Sequence, residues 1–325
     1  MYAIRLHEFG PAENLVYEDV PDPQVTDGQV GIAVEASGVH FIDTVQRAGS
    51  AEGPLAVPEL PTIPGREVAG TVDAVGAGVD PSWLGRRVVA HLGPVPGGYA
   101  RRAVVAASAL HVVPDDVGAD AAVAMIGTGR TALAVLDTAA ITSDDVVLVT
   151  AAAGGLGSLF VQAGRRAGAV VVGVAGGPDK VRQVTKLGAT HAIDYLDDDW
   201  PSQVTAAVGD QAVSLVLDGV GGDLGRSAFD LLGAGGRLVM FGSSSGQLIE
   251  FTSLDLIQRG LTATWGLGAK LTRRPGLMRE LETRSLAELA AGRLVPVVQR
   301  FPLERAADAH AALEARRTTG KVVLV

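Results

Sequence analysis

The nine residues VTAAAGGLG, at positions 149–157, follow a run of valines and lead into an apolar helical pattern. Within them, residues 152–157 have the form A-x-G-x-x-G. Glycines at this spacing allow a tight turn from strand to helix, a close approach of the backbone to a pyrophosphate, and close packing of helix on strand. The alternative is a purely structural turn, because chance matches are expected in a chain with 42 glycines.

The sequence around this stretch alternates between strands and helices. Apolar runs predict six strands, at residues 146–150, 170–174, 192–195, 213–218, 237–241 and 261–265. Helical patterns between them cover residues 156–167, 179–187, 224–232 and 254–259. The alternation predicts an α/β fold with a doubly wound, six-stranded parallel sheet of the Rossmann type.

VTAAAGGLG lies between the first strand and the first helix of this predicted sheet. That is where a dinucleotide-binding fold holds its pyrophosphate, against the free N–H groups and the positive dipole end of the helix. The setting favours a phosphate cradle over a structural turn. We therefore expect cofactor contacts from Ala153, Gly154, Gly155, Leu156 and Gly157.

The two ends of the chain have a different pattern. Residues 1–117 are rich in Pro and Gly and predict an irregular β domain, with strands at 30–39, 67–76, 86–92 and 100–113. The C-terminal part predicts a helix at 277–292, a strand at 295–301, a helix at 306–316 and a strand at 321–325. Because this last group is small for a separate domain, we expect it to pack on the N-terminal β domain.

Composition excludes several classes of function. A net charge of −9 argues against a nucleic-acid or anionic-membrane partner. The lack of cysteine excludes disulfides, thiolate nucleophiles and cysteine-based zinc sites. The N-terminus MYAIRLHEFG carries charges where a signal peptide needs an apolar core, and no run of about 18 apolar residues occurs. A soluble cytoplasmic protein is the expectation.

The end of the second predicted strand bears on the choice between NADH and NADPH. Sites that prefer NADH carry Asp or Glu there to bind the ribose 2′-hydroxyl. Here the strand ends in Ala175-Gly176-Gly177, and the nearest acid, Asp179, is interpreted as a helix cap. Lys180 can reach back to a 2′-phosphate, although by itself it also fits a solvated helix residue. The sequence therefore predicts NADPH, with Gly176 and Lys180 at the 2′-phosphate.

Nine segments, in order along almost the whole chain, resemble the medium-chain dehydrogenase/reductase superfamily in its zinc-free quinone oxidoreductase (zeta-crystallin-like) branch. These are ASGVHFIDTVQRAG (36–49), LPTIPGREVAGTVDAVGAGV (60–79), GGYARRAVV (97–105), GTGRTAL (127–133), VLVTAAAGGLG (147–157), KLGATHAIDY (186–195), LDGVGG (217–222), GGRLVMFGSSSG (235–246) and TTGKVVLV (318–325). The resemblance implies a GroES-like catalytic domain of residues 1–118 and 269–325 around a Rossmann domain of residues 119–268. It also implies a homodimer through the strand at 261–267.

The resemblance adds further cofactor residues. It implies that Tyr195 joins Lys180 at the 2′-phosphate and that Thr131 lies near the nicotinamide. Without the surrounding matches, these two would be interpreted as a half-buried strand aromatic and a hydroxyl at a helix start. The remaining cofactor residues come from two loops of the Rossmann domain: Gly219, Val220, Phe241, Gly242 and Ser243.

A catalytic zinc is not expected. Zinc-dependent relatives carry Cys at the position of His40 and Gly-His-Glu where this chain has Gly65-Arg66-Glu67. His40, Asp43 and Glu67 include zinc-binding atoms in principle, but the cation of Arg66 would oppose a metal ion. We expect Arg66 to pair with a nearby carboxylate instead.

Without a metal, hydride transfer suits an acceptor that is already electrophilic, such as a quinone or an α,β-unsaturated carbonyl. His40 departs from the Asn common in this branch and is the candidate catalytic residue, as a proton donor or only as a hydrogen-bonding wall of the pocket. A second departure, SAEG at residues 50–53, replaces an aromatic that relatives often carry. The alternatives are a zinc-free alcohol dehydrogenase or enoyl reductase, and a non-catalytic NADPH-binding or redox-sensing protein.

Overall fold

The computed structural model describes residues 1–50, 57–93, 97–267 and 274–325. The segment at residues 50–53, which replaces an aromatic that relatives often carry, therefore lies almost entirely outside the described residues. The chain divides into two compact units, one of Met1–Thr128 with Ser285–Val325 and the other of Gly129–Arg284. The predicted domain boundaries, at 118/119 and 268/269, stay predictions.

Fifteen strands are described. They are β1 Tyr2–Leu6, β2 Leu15–Asp19, β3 Gln29–Val39, β4 Glu67–Val75, β5 Arg87–His91, β6 Arg102–Ala106, β7 His111–Val112, β8 Val146–Val149, β9 Val170–Ala175, β10 His191–Asp194, β11 Val213–Asp218, β12 Leu232–Met240, β13 Thr262–Trp265, β14 Val298–Phe301 and β15 Lys321–Leu324.

The described α-helices connect these strands. They are α1 Phe41–Arg47, α2 Ala119–Ala124, α3 Arg130–Ala139, α4 Gly155–Ala167, α5 Pro178–Lys186, α6 Trp200–Val208, α7 Gly222–Asp230, α8 Ser253–Arg259, α9 Leu277–Ala290 and α10 Ala306–Glu314. A π-helical turn, Met125–Gly129, lies between α2 and α3.

The second unit contains the predicted Rossmann sheet. Its six strands are parallel and stand in the order β10-β9-β8-β11-β12-β13. The strands β8 and β11 are buried almost throughout, as their continuous apolar runs predict for a sheet covered on both faces. All six carboxyl ends lie at one edge of the sheet, so the loops that follow the strands are brought together there.

The first unit contains a mixed sheet in the order β14-β15-β3-β4-β5-β7, with β6 also paired to β3. The terminal strand β15 runs antiparallel to β3, with Val322 opposite Val39. This pairing confirms that the C-terminal strands pack on the N-terminal β domain. It also places Lys321, the first residue of β15, near the end of β3, after which His40 follows.

Sequence patterns missed some elements and merged others. The helix α1 lies in the N-terminal region, for which the sequence predicted no helix. Its seven residues are too few to show a helical period. The helix α6 was also not predicted. The single strand expected at 100–113 is two strands, β6 and β7, separated by a 3-10 turn at Ala107–Ala109.

One helical stretch, Ala119–Ala139, is long and apolar enough to cross a membrane by length and composition alone. Most of that stretch is buried inside the protein, as is usual for a core helix.

Candidate active site

The predicted cradle lies between β8 and α4, as expected from its sequence. Gly154 occupies the N-cap of α4, and its N–H donates to the carbonyl of Ala151 at 2.8 Å. A Cβ atom on Gly157 would stand 2.3 Å from that same carbonyl oxygen, so the helix can approach the strand only with glycine there. The first N–H groups of α4 lack intrahelical partners and can hold a phosphate.

A buried carboxylate connects the cradle to the next loop of the sheet. Asp218, the last residue of β11, accepts from the hydroxyl of Thr150 at 2.7 Å. Its two oxygens also accept from the backbone N–H groups of Val220 and Gly221, at 3.2 and 2.9 Å. Burial raises the pKa of Asp218, and these hydrogen bonds oppose that rise. Asp218 thus fixes the loop that carries the predicted residues Gly219 and Val220.

The third loop follows β12 and is bonded to the second. Phe241 donates its N–H to the Asp218 carbonyl at 2.8 Å, and Ser244 donates to the Gly219 carbonyl at 3.1 Å. The Phe241 ring packs edge-on against Phe160 of α4, with ring centroids 5.0 Å apart. It leaves no room for a side chain at Gly219, where a Cβ atom would lie 2.3 Å from the ring.

The predicted 2′-phosphate residues meet at the ends of β9 and β10. A Cβ atom on Gly176 would lie 2.8 Å from the hydroxyl of Tyr195, so the tyrosine ring covers that glycine. Asp194 accepts from the backbone N–H groups of Gly177 and Leu196, at 2.9 and 3.0 Å. Lys180 lies in the first turn of α5, which starts directly after these glycines.

The interpretation of Asp179 as the cap of α5 is wrong. Gly177 occupies the N-cap position, and Pro178 begins the helix. Asp179 lies inside the first turn and pairs with Arg182, one turn further along. Proline at the first helical position explains the shift, since its fixed φ suits that position. Thr131, predicted near the nicotinamide, is the second residue of α3.

His40 belongs to the first unit, where it begins a cluster of buried charges. It directly precedes α1, and its Nε2 lies 2.9 Å from Oε1 of Glu67 on β4. The ammonium of Lys321 lies 2.7 Å from the same oxygen. Glu67 is fully buried, Lys321 is almost so, and the His40 side chain keeps about a fifth of its surface exposed.

The carboxylate of Asp43 holds the start of α1 in place. It accepts from the backbone N–H of His40 at 2.8 Å and from the hydroxyl of Tyr99 at 3.2 Å. Arg66 lies 3.1 Å from its other oxygen and also donates to Gln46. The expectation that Arg66 pairs locally with a carboxylate is confirmed.

A buried histidine stands behind this carboxylate. Nε2 of His310, on α10, lies 3.1 Å from the hydroxyl of Tyr99. Burial, helped by the nearby cation of Arg47, lowers the pKa of His310 to about 4, although Asp43 opposes the change. His310 is therefore a neutral hydrogen-bonding residue of the core at neutral pH.

The sequence did not predict the roles of three residues in the two sites. Asp218 and Lys321 lie in segments with recognisable motifs, LDGVGG and TTGKVVLV, but the motifs give no side-chain partners. Glu67 was considered only as a metal ligand. A polar residue at the end of a buried apolar strand is the signal that could have drawn attention to Asp218.

The donor set around His40 does not fit a zinc ion. Within the described ranges, no three His, Cys, Asp or Glu residues lie close enough together to hold a metal. The ammonium of Lys321 occupies the side of Glu67 that a cation would use, and Arg66 occupies Asp43. Two basic side chains thus already neutralise the carboxylates near His40.

Two family models match separate stretches of the chain. The alcohol dehydrogenase GroES-like domain matches residues 26–115, and the zinc-binding dehydrogenase family matches residues 187–324. Among curated proteins, a 2-haloacrylate reductase of Burkholderia is 33% identical, over 98% of this chain and 97% of its own length. A quinone oxidoreductase of Pseudomonas aeruginosa is 31% identical, over 99% and 98%.

A solved structure is also similar to this chain over its whole length. The quinone oxidoreductase of Escherichia coli, determined in complex with NADPH, superposes with a TM-score of 0.87 at 29% identity, covering all of both chains. Fold and cradle together define the present chain as a dinucleotide-binding oxidoreductase. The chain belongs to the medium-chain dehydrogenase/reductase superfamily, in the quinone oxidoreductase branch, which confirms the resemblance seen in the sequence.

Proposed function

We propose that this chain is an NADPH-dependent reductase that transfers hydride to a quinone or an α,β-unsaturated carbonyl without zinc. The observation that carries the proposal is a complete dinucleotide cradle in a chain whose donor set at His40 does not fit a metal. The substrates named for two relatives, quinones and 2-haloacrylate, share a carbon–carbon double bond conjugated to a carbonyl. Such acceptors take a hydride without a Lewis acid.

NADPH supplies the hydride when it is bound. We propose that the N–H groups at the start of α4 hold its pyrophosphate and that Lys180 and Tyr195 hold its 2′-phosphate. The loops at Gly219–Val220 and Phe241–Ser243 and the hydroxyl of Thr131 orient the nicotinamide end. Phe241 supports this role by its packing on Phe160, which fixes the loop.

His40 is the proposed catalytic residue of the first unit. Its side chain is partly exposed, whereas Glu67 and Lys321 behind it are buried. A histidine side chain beside an acceptor oxygen can donate a hydrogen bond or a proton when the donating nitrogen is protonated. The lesser role, a hydrogen-bonding wall in the place of Asn, predicts an active His40→Asn variant.

A panel of acceptors tests the proposal. NADPH oxidation at 340 nm is followed with several quinones, enones, an acrylate, and simple aldehydes and ketones as the comparison class. The proposal predicts turnover with conjugated acceptors and little with simple carbonyls. Tight NADPH binding without turnover on any acceptor would favour the sensor role, and turnover of simple alcohols or ketones would favour an alcohol dehydrogenase.

We also propose a homodimer joined along residues 261–267. β13 is the edge strand of its sheet, and Trp265 is about two-fifths exposed. Leu254 and Ile257 of the neighbouring α8 are more exposed still, which a partner would cover. Light scattering of the wild type and of Trp265→Lys tests this, since the substitution is expected to shift the protein to monomer.

A further inference from the structure

The end of β9 carries no acidic residue, but the neighbouring strand β10 brings one to the turn that follows it. Asp194 is the last residue of β10 and lies opposite Ala175, the last residue of β9. Its Oδ1 atom accepts from the backbone N–H of Gly177 at 2.9 Å. The turn at Gly176 and Gly177 therefore holds a carboxylate that the sequence of β9 does not show.

Hydrogen bonds fix the position of this carboxylate. The same Oδ1 atom accepts from the N–H of Leu196 at 3.0 Å, so Asp194 connects the turn after β9 to the turn after β10. The Tyr195 N–H donates to the Ala175 carbonyl at 3.1 Å and joins the same two segments. The negative charge of Asp194 is thus held at one place relative to the turn.

This turn is also where the proposed 2′-phosphate site lies. Tyr195 directly follows Asp194, and its hydroxyl lies 2.8 Å from where a Cβ atom on Gly176 would stand. Gly177 is the N-cap of α5, and Lys180 lies in the first turn of that helix. A phosphate held by Lys180 and Tyr195 would share the turn with the Asp194 carboxylate.

The carboxylate makes this helix start a weaker anion site than its glycines indicate. Pro178 has no N–H to offer, and the N–H of Gly177 already donates to Asp194. The negative charge of Asp194 also offsets the positive dipole end of α5. The other acid of this helix start, Asp179, is paired with Arg182.

The charge of Asp194 affects the two nicotinamide cofactors differently. A phosphate monoester carries about −1.5 to −2 charges at neutral pH, and a nearby carboxylate repels it. NADPH has such a phosphate on its adenosine ribose, whereas NADH has an uncharged hydroxyl there. Repulsion from Asp194 therefore opposes the binding of NADPH and leaves that of NADH almost unaffected.

We infer that Asp194 is a specificity-determining residue, whose carboxylate weakens the binding of NADPH and narrows the preference of this chain for NADPH over NADH. The inference rests on the proposed function, because it needs the 2′-phosphate to lie at this turn. It changes the meaning of the missing acid in β9, since a neighbouring strand supplies a carboxylate to the same turn.

The test is Asp194→Asn in the full-length protein. The amide oxygen can still accept from the N–H groups of Gly177 and Leu196, so the substitution removes the charge and retains both hydrogen bonds. Titration of nicotinamide fluorescence gives the Kd for each cofactor. We expect the Kd for NADPH to fall about fivefold and that for NADH to stay within about twofold. An unchanged ratio of the two Kd values, or weaker NADPH binding, would overturn the inference.

Nucleotide fragments give a readout that does not depend on turnover. Calorimetry with 2′,5′-ADP and 5′-AMP compares ligands with and without the 2′-phosphate. Asp194→Asn should bind 2′,5′-ADP about fivefold more tightly and 5′-AMP as the wild type does. The gain should shrink from about 0.05 M to about 0.5 M salt, because salt screens partly exposed charges. A gain shared equally by 5′-AMP would overturn the inference.

A matched control removes the same charge elsewhere in the same loop. Asp198, four residues further on, is exposed, and Asp198→Asn should leave the ratio of the two Kd values within about twofold of the wild type. A shift as large as that of Asp194→Asn would overturn the inference. If Asp194→Asn does not fold, Asp194→Ser is used, since a serine hydroxyl also accepts from the backbone N–H two residues on. The same ratio is the criterion.

The proposed function and this inference fail differently. A wild type that binds neither NADPH nor 2′,5′-ADP contradicts the proposed function. A wild type that binds both, with a ratio that Asp194→Asn does not change, contradicts only the inference.

Discussion

The candidate sites of the two units consist of different chemical groups. In the second unit, the cradle and the loops beside it consist of glycines and backbone groups, with one buried carboxylate, Asp218, bonded to neutral partners. In the first unit, His40 is surrounded by acidic and basic side chains: Glu67, Lys321, Asp43 and Arg66.

The difference follows from what each site has to hold. A pyrophosphate is bound by N–H groups that are fixed in space, so the requirement is close backbone approach and no side chains. A histidine in a catalytic pocket must be held in one orientation, and hydrogen-bonding partners beside the ring do this. We therefore expect substitutions in the second unit to change cofactor affinity, and substitutions around His40 to change turnover.

Gly157→Ala is expected to have the largest effect. Its methyl group would meet the Ala151 carbonyl at 2.3 Å, where only backbone movement can relieve the clash. We expect the Kd for NADPH to rise at least about 100-fold, equivalent to about 3 kcal/mol, by titration of nicotinamide fluorescence.

Gly164→Ala is the matched control on the same helix. Its methyl group would meet only the side chain of Val171, at 2.7 Å, away from the cradle. It should lower Tm and leave the Kd for NADPH unchanged. If both variants weaken NADPH equally, helix packing in general and not the cradle is responsible.

Acid should destabilise the first unit through His310. Its pKa is about 4 in the folded chain and about 6.5 when unfolded, so the unfolded state binds more protons between these values. Stability is therefore complete above about pH 6.5 and falls as the pH drops toward 4, by up to about 3 kcal/mol. Urea unfolding at pH 7 and pH 5 measures the change, and His310→Gln should flatten it. An unchanged pH dependence in that variant would rule out His310 as the cause.

Asp218→Asn tests the hydrogen bonds by which Asp218 connects the loops of the second unit. The amide retains one acceptor oxygen but presents an N–H₂ group to Gly221 or Thr150, so one loop contact is lost. We expect the Kd for NADPH to rise about 10-fold, with kcat at saturating NADPH changed much less. A variant that loses kcat while keeping NADPH affinity would place Asp218 outside the cofactor site.

Lys180→Met should give the smallest effect. One charge–phosphate contact from a partly exposed side chain is worth about 1 kcal/mol, so NADPH affinity should fall about fivefold while NADH affinity stays constant. The comparison of the two cofactors in one variant serves as the control. Equal losses for both would remove Lys180 from the 2′-phosphate.

The same contrast explains why the sequence predicted one site and not the side-chain partners of the other. The cradle was predictable because its residues are consecutive and backbone geometry requires them, as Gly154 and Gly157 show. The unit around His40 was not, because Glu67 and Lys321 meet only through the pairing of β15, β3 and β4. Periodicity gives no register between strands so distant in sequence. The capping role predicted for Asp179 was wrong because the helix begins at Pro178, which places its N-cap at Gly177, two residues before Asp179.

Metal dependence tests the central claim most directly. The protein is treated with a strong zinc chelator, its metal content is measured by mass spectrometry, and NADPH oxidation is followed with the best conjugated acceptor. The account predicts full kcat in metal-free protein and no gain when zinc is added back. Loss of turnover on chelation, restored by stoichiometric zinc, would contradict it.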